Sequence, residues 1–154
     1  MNFKDDHQLT AADALTRTVG SEIATADDAA RIFRMAIPLA GSNEGLFVLP
    51  LDAENRTLSE PILVSLGESK TTAVDPSDVF STALKLDAKS VIIAHNHPSG
   101  NPTPSENDVG MTEKLVAASK LVHVPLLDHL VLGSPDSKGG NGYISILHPS
   151  KHNA

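Results

Sequence analysis

The chain contains no cysteine among its 154 residues. This absence excludes disulfide bonds, thiolate nucleophiles, iron–sulfur clusters and every zinc site that is built on thiolates. Any metal ion in this protein would have to be held by imidazole and carboxylate groups. The sequence supplies seven histidines and 19 acidic side chains for that purpose.

Basic residues are also scarce, with 12 lysines and arginines and a net charge of −7. Nucleic-acid binding depends on basic side chains that neutralise phosphates, so the charge balance argues against such a partner. No apolar run approaches the ~18 residues that a membrane span needs. The first ten residues are polar and acidic, without the apolar core of a secretory signal. We therefore expect a cytoplasmic protein that does not contact a membrane.

The length suits one domain of about 100–200 residues. We expect a polar N-terminal arm over residues 1–24, which could include a short helix, then a domain over 25–148 and a tail over 149–154. Helices are predicted after Thr25, after Asp75, and from Ser105 to about Leu121, because each start has a capping residue with acidic side chains nearby. The mixed order of helices and strands predicts an α/β or α+β fold.

Strands are predicted where short apolar or β-branched runs lie between turn residues. These runs are Glu44–Leu51, Ile62–Leu66, Ser90–Ala94, Leu126–Leu132 and Tyr143–Leu147. Pro50 and Pro61 indicate strand edges or bulges, since proline cannot donate to a ladder. The uncharged run that begins at Ser90 is typical of a strand buried on both faces.

The segment over residues 95–110 carries the chemistry. His95 and His97 follow the buried strand, and side chains two apart in a strand share one face with Cα atoms about 6.6 Å apart. Two imidazoles placed in this way can bind one ion. Asp108, in the first turn of the next helix, can supply a third ligand, which leaves the fourth tetrahedral position for water, as in catalytic zinc sites.

A purely structural interpretation exists for part of this segment. Ser105 and Asp108 have the spacing of a helix N-cap and its third residue, and such a pair is more often a cap than a site. A histidine pair of the H-x-H type is also weak evidence by itself. The combined pattern favours a metal site, and capping is compatible with it because a cap would hold Ser105 and Asp108 in place.

The pattern His95-x-His97-Pro98, then Ser105 and Asp108, with a glutamate upstream, resembles the JAMM (MPN+) zinc metalloprotease motif. The sequence H-N-H-P-S-G-N-P-T-P-S-E-N-D is similar to the corresponding segment in the RadC branch of that superfamily. The resemblance covers roughly residues 25–147. It implies a single JAMM-type domain with a mixed, curved sheet, helices that flank it, and the metal-binding strand at its centre.

The resemblance also implies roles for individual residues. His95, His97 and Asp108 would bind Zn²⁺, Glu44 would be the general base for the zinc-bound water, and Ser105 would hydrogen-bond the developing oxyanion or the water. The implied reaction is hydrolysis of a peptide or isopeptide bond in a protein or peptide substrate. Without the family, Glu44 could equally be an exposed charge at a strand start.

Other polar residues have competing interpretations. Glu54, Glu60 and Glu68 compete with Glu44, but they lie in turns or near strand ends. His129 lies in an apolar strand, where we expect a hydrogen-bonded core or supporting histidine rather than a ligand. For Asp128 a structural hydrogen bond is favoured over the orientation of a ligand histidine. We expect Asn96 to face away from the metal side and to order the loop. The remaining histidines are predicted to lie at the surface: His7, His123, His148 and His152.

The sequence departs from the RadC-like pattern in three places. Its length is expected to be too short for the N-terminal helix–hairpin–helix region of longer members, it has Ser77 where the family usually has arginine, and its last strand does not reach the usual glutamate. These departures weaken inference about the substrate more than inference about the mechanism. Two other functions remain open: a DNA-repair or DNA-associated accessory protein without protease activity, and a metal-binding interaction module that has lost its chemistry.

Overall fold

The computed structural model of the chain describes residues 10–67, 74–135 and 142–149. The α-helices in these ranges are Ala11–Thr16 (α1), Ala26–Ala36 (α2), Pro76–Lys85 (α3) and Glu106–Val122 (α4), and a 3-10 helix, Ile37–Ala40, follows α2. The strands are Glu44–Leu51 (β1), Ile62–Gly67 (β2), Ser90–Asn96 (β3), Leu126–Leu132 (β4) and Tyr143–Ser145 (β5). No helix in this part of the chain combines the length and the apolar character that crossing a bilayer requires.

The strands form one mixed sheet in the order β2-β1-β3-β4-β5. β1 is antiparallel to both of its neighbours, β3 and β4 are parallel, and β5 returns antiparallel to β4. The parallel pair is joined through α4, as a crossover between parallel strands requires. The sheet is mixed and β3 is its central strand, so both of these predictions are confirmed.

Helices cover both faces of the sheet. α1, α2 and the 3-10 helix pack on one face, where Phe33 of α2 is fully buried together with Phe47 of β1. α3 and α4 pack on the other face, where Leu115 of α4 lies in the same cluster as Ile93 of β3. Every residue of β3 is buried, as the uncharged sequence of this strand predicts. Leu15, from α1, is also part of the first cluster.

The predicted helix starts are confirmed. Thr25 and Ser105 each accept a hydrogen bond from the backbone of the third helical residue, and Asp75 accepts one from Ser77 N at 2.9 Å. Such caps satisfy backbone N–H groups that have no partner within the helix.

The last strand is shorter than predicted. It ends at Ser145 rather than Leu147 because the chain turns there, with the Ser145 hydroxyl accepting from His148 N at 2.9 Å.

Pro50 lies in β1, an interior strand, at a point where β2 has already ended. The pairing of β1 with β2 stops at Val48 and contains a register shift between Leu46 and Phe47. The Pro50 carbonyl accepts from Leu58 N at 2.9 Å and therefore points away from β3. The missing N–H removes no bond from the β1–β3 ladder, so the prediction of an edge or bulge near this proline is confirmed.

Candidate metal centre

The end of β3 brings two histidine rings together on the α4 side of the sheet. The Nε2 atoms of His95 and His97 lie 3.0 Å apart. The side chain of His95 is 2% exposed and that of His97 is 16% exposed, so one ring is enclosed and the other borders solvent. The two-residue spacing therefore has the consequence that strand geometry predicts.

Asp108 reaches the same point from the first turn of α4. Its Oδ1 lies 3.1 Å from His95 Nε2, and its Oδ2 lies 3.2 Å from His97 Nε2. The same Oδ2 accepts from Ser105 N at 2.8 Å, while Ser105 Oγ accepts from Asp108 N at 3.1 Å. The helix cap and the side-chain cluster are therefore one structure, and the cap fixes the direction of the carboxylate.

Glu44 is the first residue of β1, and the antiparallel register that pairs Leu46 with His95 places it opposite position 97. Its Oε1 lies 3.9 Å from His97 Nε2, and its side chain is 29% exposed. The donor atoms of Glu44, His95 and His97 all lie within 4.8 Å of one another. Glu44 therefore stands beside the tighter cluster, on its solvent side.

The competing glutamates lie elsewhere or outside the described residues. Glu54 is exposed in the turn after β1, and Glu60 accepts a hydrogen bond from Thr16 Oγ1 at 3.0 Å. Glu68 lies outside the described residues. Of the three that the structure describes, Glu44 is thus the one that lies beside the histidines.

The donor set fits a zinc ion. Four ligands about 2.1 Å from zinc in a tetrahedron lie about 3.4 Å from one another. The observed separations among His95, His97 and Asp108 are 3.0–3.2 Å, which is within a few tenths of an ångström of that value. Two imidazoles and one carboxylate also form a ligand set that zinc favours.

The charges in the cluster favour a cation. Burial raises the pKa of Asp108, but hydrogen bonds from His95 and His97 outweigh it and hold the pKa well below its usual value. The hydrogen bond to Asp108 raises the pKa of His97, against the opposing effect of burial. An ionised carboxylate therefore lies beside imidazole nitrogens in a largely buried site.

The far side of the His97 ring is held by the loop that follows β3. His97 Nδ1 lies 2.8 Å from the carbonyl oxygen of Asn101, which can only accept, so Nδ1 carries the proton. Nε2, which faces Asp108, is then the ring nitrogen left to bind a metal ion. This arrangement is typical of metal-binding histidines, whose second nitrogen donates to a carbonyl or carboxylate.

His95 Nδ1 has a different partner, since it lies 2.7 Å from Nε2 of the completely buried His129. Burial lowers the pKa of His129 well below its usual value, so this ring is neutral. His129 is therefore a hydrogen-bonded core residue that contacts His95, as expected. Asp128 instead bonds Ser145 Oγ at 2.6 and 2.8 Å, which is the predicted structural role.

The predictions for the remaining histidines are confirmed where the structure describes them. His123 and His148 are exposed. His7 and His152 lie outside the described residues.

Asn96 is a supporting residue whose partners the sequence did not reveal. It points away from the metal side of β3, as predicted, but it orders the start of β1 rather than the loop after β3. Its Oδ1 accepts from Gly45 N at 2.8 Å, and its Nδ2 donates to Asn43 O at 3.1 Å. These bonds hold the main chain on both sides of Glu44. They depend on the pairing of β1 with β3, which no local pattern indicates.

A groove of about 530 Å³ opens beside the cluster. Glu44, His97, Ser105 and Asp108 all line it. Ser105 Oγ accepts from the helix backbone, and a hydroxyl that accepts in this way still has its own proton to donate. The groove therefore presents the acidic side chain, the histidine and a hydroxyl donor to the same space.

Comparisons with known proteins identify relatives of this chain. A family model for the RadC-like JAB domain matches residues 23–150. UPF0758 proteins of Methanosarcina mazei and Carboxydothermus hydrogenoformans are 44% and 43% identical over 90 and 103 residues, which are 58% and 67% of this chain. A UPF0758 protein of Methanococcoides burtonii is 41% identical over 104 residues, or 66% of this chain.

The matched parts make up 39%, 42% and 45% of those three proteins, so the chain spans less than half of their length. Their names state no activity. The family match, by contrast, extends over most of the chain and includes every residue of the cluster. The chain therefore belongs to the RadC-like JAB domain family.

Proposed function

We propose that this chain is a zinc-dependent hydrolase that cleaves a peptide or isopeptide bond in a protein or peptide substrate. The observation that carries the proposal is the convergence of His95 Nε2, His97 Nε2 and the Asp108 carboxylate at 3.0–3.2 Å, with Glu44 beside them on the open side. Membership of a JAB-domain family is consistent with this chemistry.

His95, His97 and Asp108 would hold the ion. When bound, zinc would supply a Lewis acid that polarises the substrate carbonyl and makes water more acidic. The ligands come from rigid elements, since His95 is within β3 and Asp108 is held by the cap of α4. A site built on such elements keeps its geometry with little reorganisation.

Glu44 would move the proton that hydrolysis requires. Its carboxylate would take a proton from the attacking water at Oε1 and deliver it to the nitrogen of the leaving amine as the C–N bond breaks. The water oxygen ends in the new carboxylic acid, so one water is consumed for each bond cleaved. Glu44 borders the groove, which gives it access to both water and substrate.

Ser105 would act on the substrate oxygen. Its Oγ accepts from Asp108 N, which fixes the oxygen at the groove wall, and its O–H can donate to the negative charge that develops on the carbonyl oxygen. Donors fixed in advance at such a position stabilise the transition state of acyl transfer.

Metal analysis of the reconstituted protein tests the ligand set. We expect one zinc per chain in the wild type and none in Asp108→Ala. Asp28→Ala is a matched control, because Asp28 forms the same capping box with Thr25 in α2 but lies outside the cluster. This control should lose helix stability and keep its zinc. A wild-type protein that takes up no zinc at neutral pH would exclude the proposal.

Hydrolysis assays on the zinc-loaded protein test the role of Glu44, with unlabelled peptides and lysine-linked isopeptides as probes. Glu44→Gln should keep zinc and lose about 10²–10⁴-fold in rate, which is the usual contribution of a general base. Glu54→Gln changes an exposed glutamate in the same way and should keep full activity. Equal rates for Glu44→Gln and the wild type would show that Glu44 is not the base.

A further inference from the structure

We infer that His129 and Thr112 are positioning residues that keep a proton on Nδ1 of His95, so that Nε2 is the ring nitrogen left to bind the metal ion. The inference rests on the proposed zinc site. Its evidence is a series of short hydrogen bonds that leads away from the cluster. His95 Nδ1 lies 2.7 Å from His129 Nε2, His129 Nδ1 lies 2.6 Å from Thr112 Oγ1, and Thr112 Oγ1 lies 2.7 Å from the main-chain oxygen of Asp108.

The contact between Thr112 and Asp108 determines which atom donates in every hydrogen bond of the series. Two oxygens 2.7 Å apart need a proton between them, and a carbonyl oxygen has none to give, so Thr112 donates to Asp108. The Thr112 hydroxyl has only one proton, so towards His129 it must accept, and His129 Nδ1 carries the N–H. In the neutral ring Nε2 is then an acceptor, and His95 Nδ1 must be the donor. His95 Nε2 is then the ring nitrogen left to bind the metal ion.

The opposite direction of donation would cost free energy because the side chains of the series are shielded from water. His95, Thr112 and His129 are 2%, 1% and 0% exposed. In the reverse arrangement Thr112 would donate to His129, and two oxygen lone pairs would face each other at the Asp108 carbonyl without a solvent partner. His95 Nε2 would carry a proton and could not bind a metal.

The need for Thr112 follows from the kind of partner that His95 has. A metal-binding histidine usually donates to a carboxylate or a carbonyl, which can only accept and therefore fixes the tautomer alone. His97 follows that rule through Asn101. A neutral imidazole can donate or accept, so His129 fixes nothing until a further group fixes His129. Thr112 is that group.

The test compares Thr112→Val, which has nearly the same shape but no hydroxyl, with Thr112→Ser, which restores the hydroxyl. Nitrogen-15 spectra of the histidine rings in the metal-free protein would report the tautomer of His95 directly. We expect Nδ1 of His95 to be protonated in the wild type and in Thr112→Ser, and to be protonated less fully in Thr112→Val.

Zinc affinity, measured by competition with a chelating dye, gives a second readout. Partners of ligand histidines usually contribute 10–100-fold to metal affinity, so we expect a loss of about tenfold in Thr112→Val and less than about twofold in Thr112→Ser. His129→Leu should lose about 10–100-fold, and adding Thr112→Val to it should have little further effect, because Thr112 acts through His129.

Identical spectra and zinc affinities in Thr112→Val and Thr112→Ser would overturn the inference. So would an Nε2–H tautomer of His95 in the wild type. A wild type that takes up no zinc would instead remove the proposed function, and the metal-free spectra would still decide the tautomer of His95.

Discussion

The α-carbon of Gly133 lies so close to the carbonyl oxygen of Gly100 that no β-carbon fits between them. A β-carbon at this position would also lie 2.7 and 2.8 Å from Cδ and N of Pro102. The loop after β3 therefore packs directly against the residues that follow β4, where Ser134 N also donates to Gly100 O at 2.8 Å. This contact positions the part of the loop that holds the ring of His97.

Gly133→Ala should therefore weaken zinc binding although Gly133 lies outside the proposed metal centre. We expect the loop to be displaced, with a loss of about 1–3 kcal/mol in the free energy of unfolding, as for other overpacked sites. Zinc affinity should fall as His97 loses its support. Gly110→Ala in α4 is the control, because an added β-carbon there meets nothing within 4 Å. It should stabilise the helix by about 0.5–1 kcal/mol and leave zinc affinity unchanged. Equal zinc affinities in the two variants would contradict this interpretation of the loop.

Zinc should stabilise the folded protein. Binding of zinc at a free concentration of 100 times its Kd adds about 2.7 kcal/mol, which corresponds to a rise of about 5–10 °C in Tm for a domain of this size. The measurement is thermal unfolding with zinc and with EDTA. His97→Ala should abolish the difference, whereas His123→Asn, which changes an exposed histidine at the end of α4, should preserve it. A zinc-dependent rise that persists in His97→Ala would place the ion elsewhere.

Asn96→Ala should separate hydrolysis from metal binding. The variant removes the two bonds that hold the main chain around Glu44, at a cost of about 1–3 kcal/mol in stability for the backbone groups left unpaired. Because small displacements of a catalytic group can lower rates by up to about 10²-fold, kcat/KM should fall by tenfold or more. Zinc affinity, measured on the same preparation, should change much less. Loss of zinc to the extent seen in Asp108→Ala would show that Asn96 supports the ligands instead.

The only tyrosine of the chain should titrate at unusually high pH. Burial raises the pKa of Tyr143, and so does the hydrogen bond that its hydroxyl donates to Asp27 of α2. The folded-state pKa thus exceeds the unfolded value of about 10, so this contribution to stability is complete below pH 10 and is lost as the pH rises through the folded value. Phenolate absorbance during alkaline titration of the folded and the urea-unfolded protein measures both pKa values.

Asp27→Asn should bring the folded-state pKa of Tyr143 closer to the unfolded value without reaching it, since burial remains. Tyr143→Phe should weaken the pH dependence of stability above pH 10, because the group that titrates is gone. A tyrosine that titrates at the same pH in the folded and unfolded protein would contradict the contact between β5 and α2.

The sequence predicts those features of the site that depend on local geometry. His95 and His97 share a strand face because strands alternate, and Ser105 and Asp108 form a capping box because their spacing closes one helical turn. The RadC-like resemblance adds Glu44, whose position opposite His97 depends on the β1–β3 register. Thr25 and Asp75 mark helix starts for the same local reason as Ser105.

Features that depend on how separate elements pack were not predictable in this way. The bond between Thr112 and His129 requires α4 to lie over β4 at one particular register, and no pattern around either residue indicates it. The contact of Gly133 with Gly100 likewise depends on the parallel pairing of β3 with β4. The early end of β5 follows from a side-chain hydrogen bond of Ser145 that strand propensity does not register.

His95 lies on β3 with His97 directly after it, Asp108 lies on α4 and Glu44 lies on β1, so the complete proposed centre exists only when these three elements are assembled. In an unfolded chain only His95 and His97 are near neighbours, and two imidazoles on a flexible segment hold zinc weakly. Zinc would therefore bind after the folding transition state and contribute little to the folding rate. Its stabilisation would be expressed as slower unfolding, so a zinc-loaded molecule would persist longer in the folded state while the metal-free molecule folds just as fast.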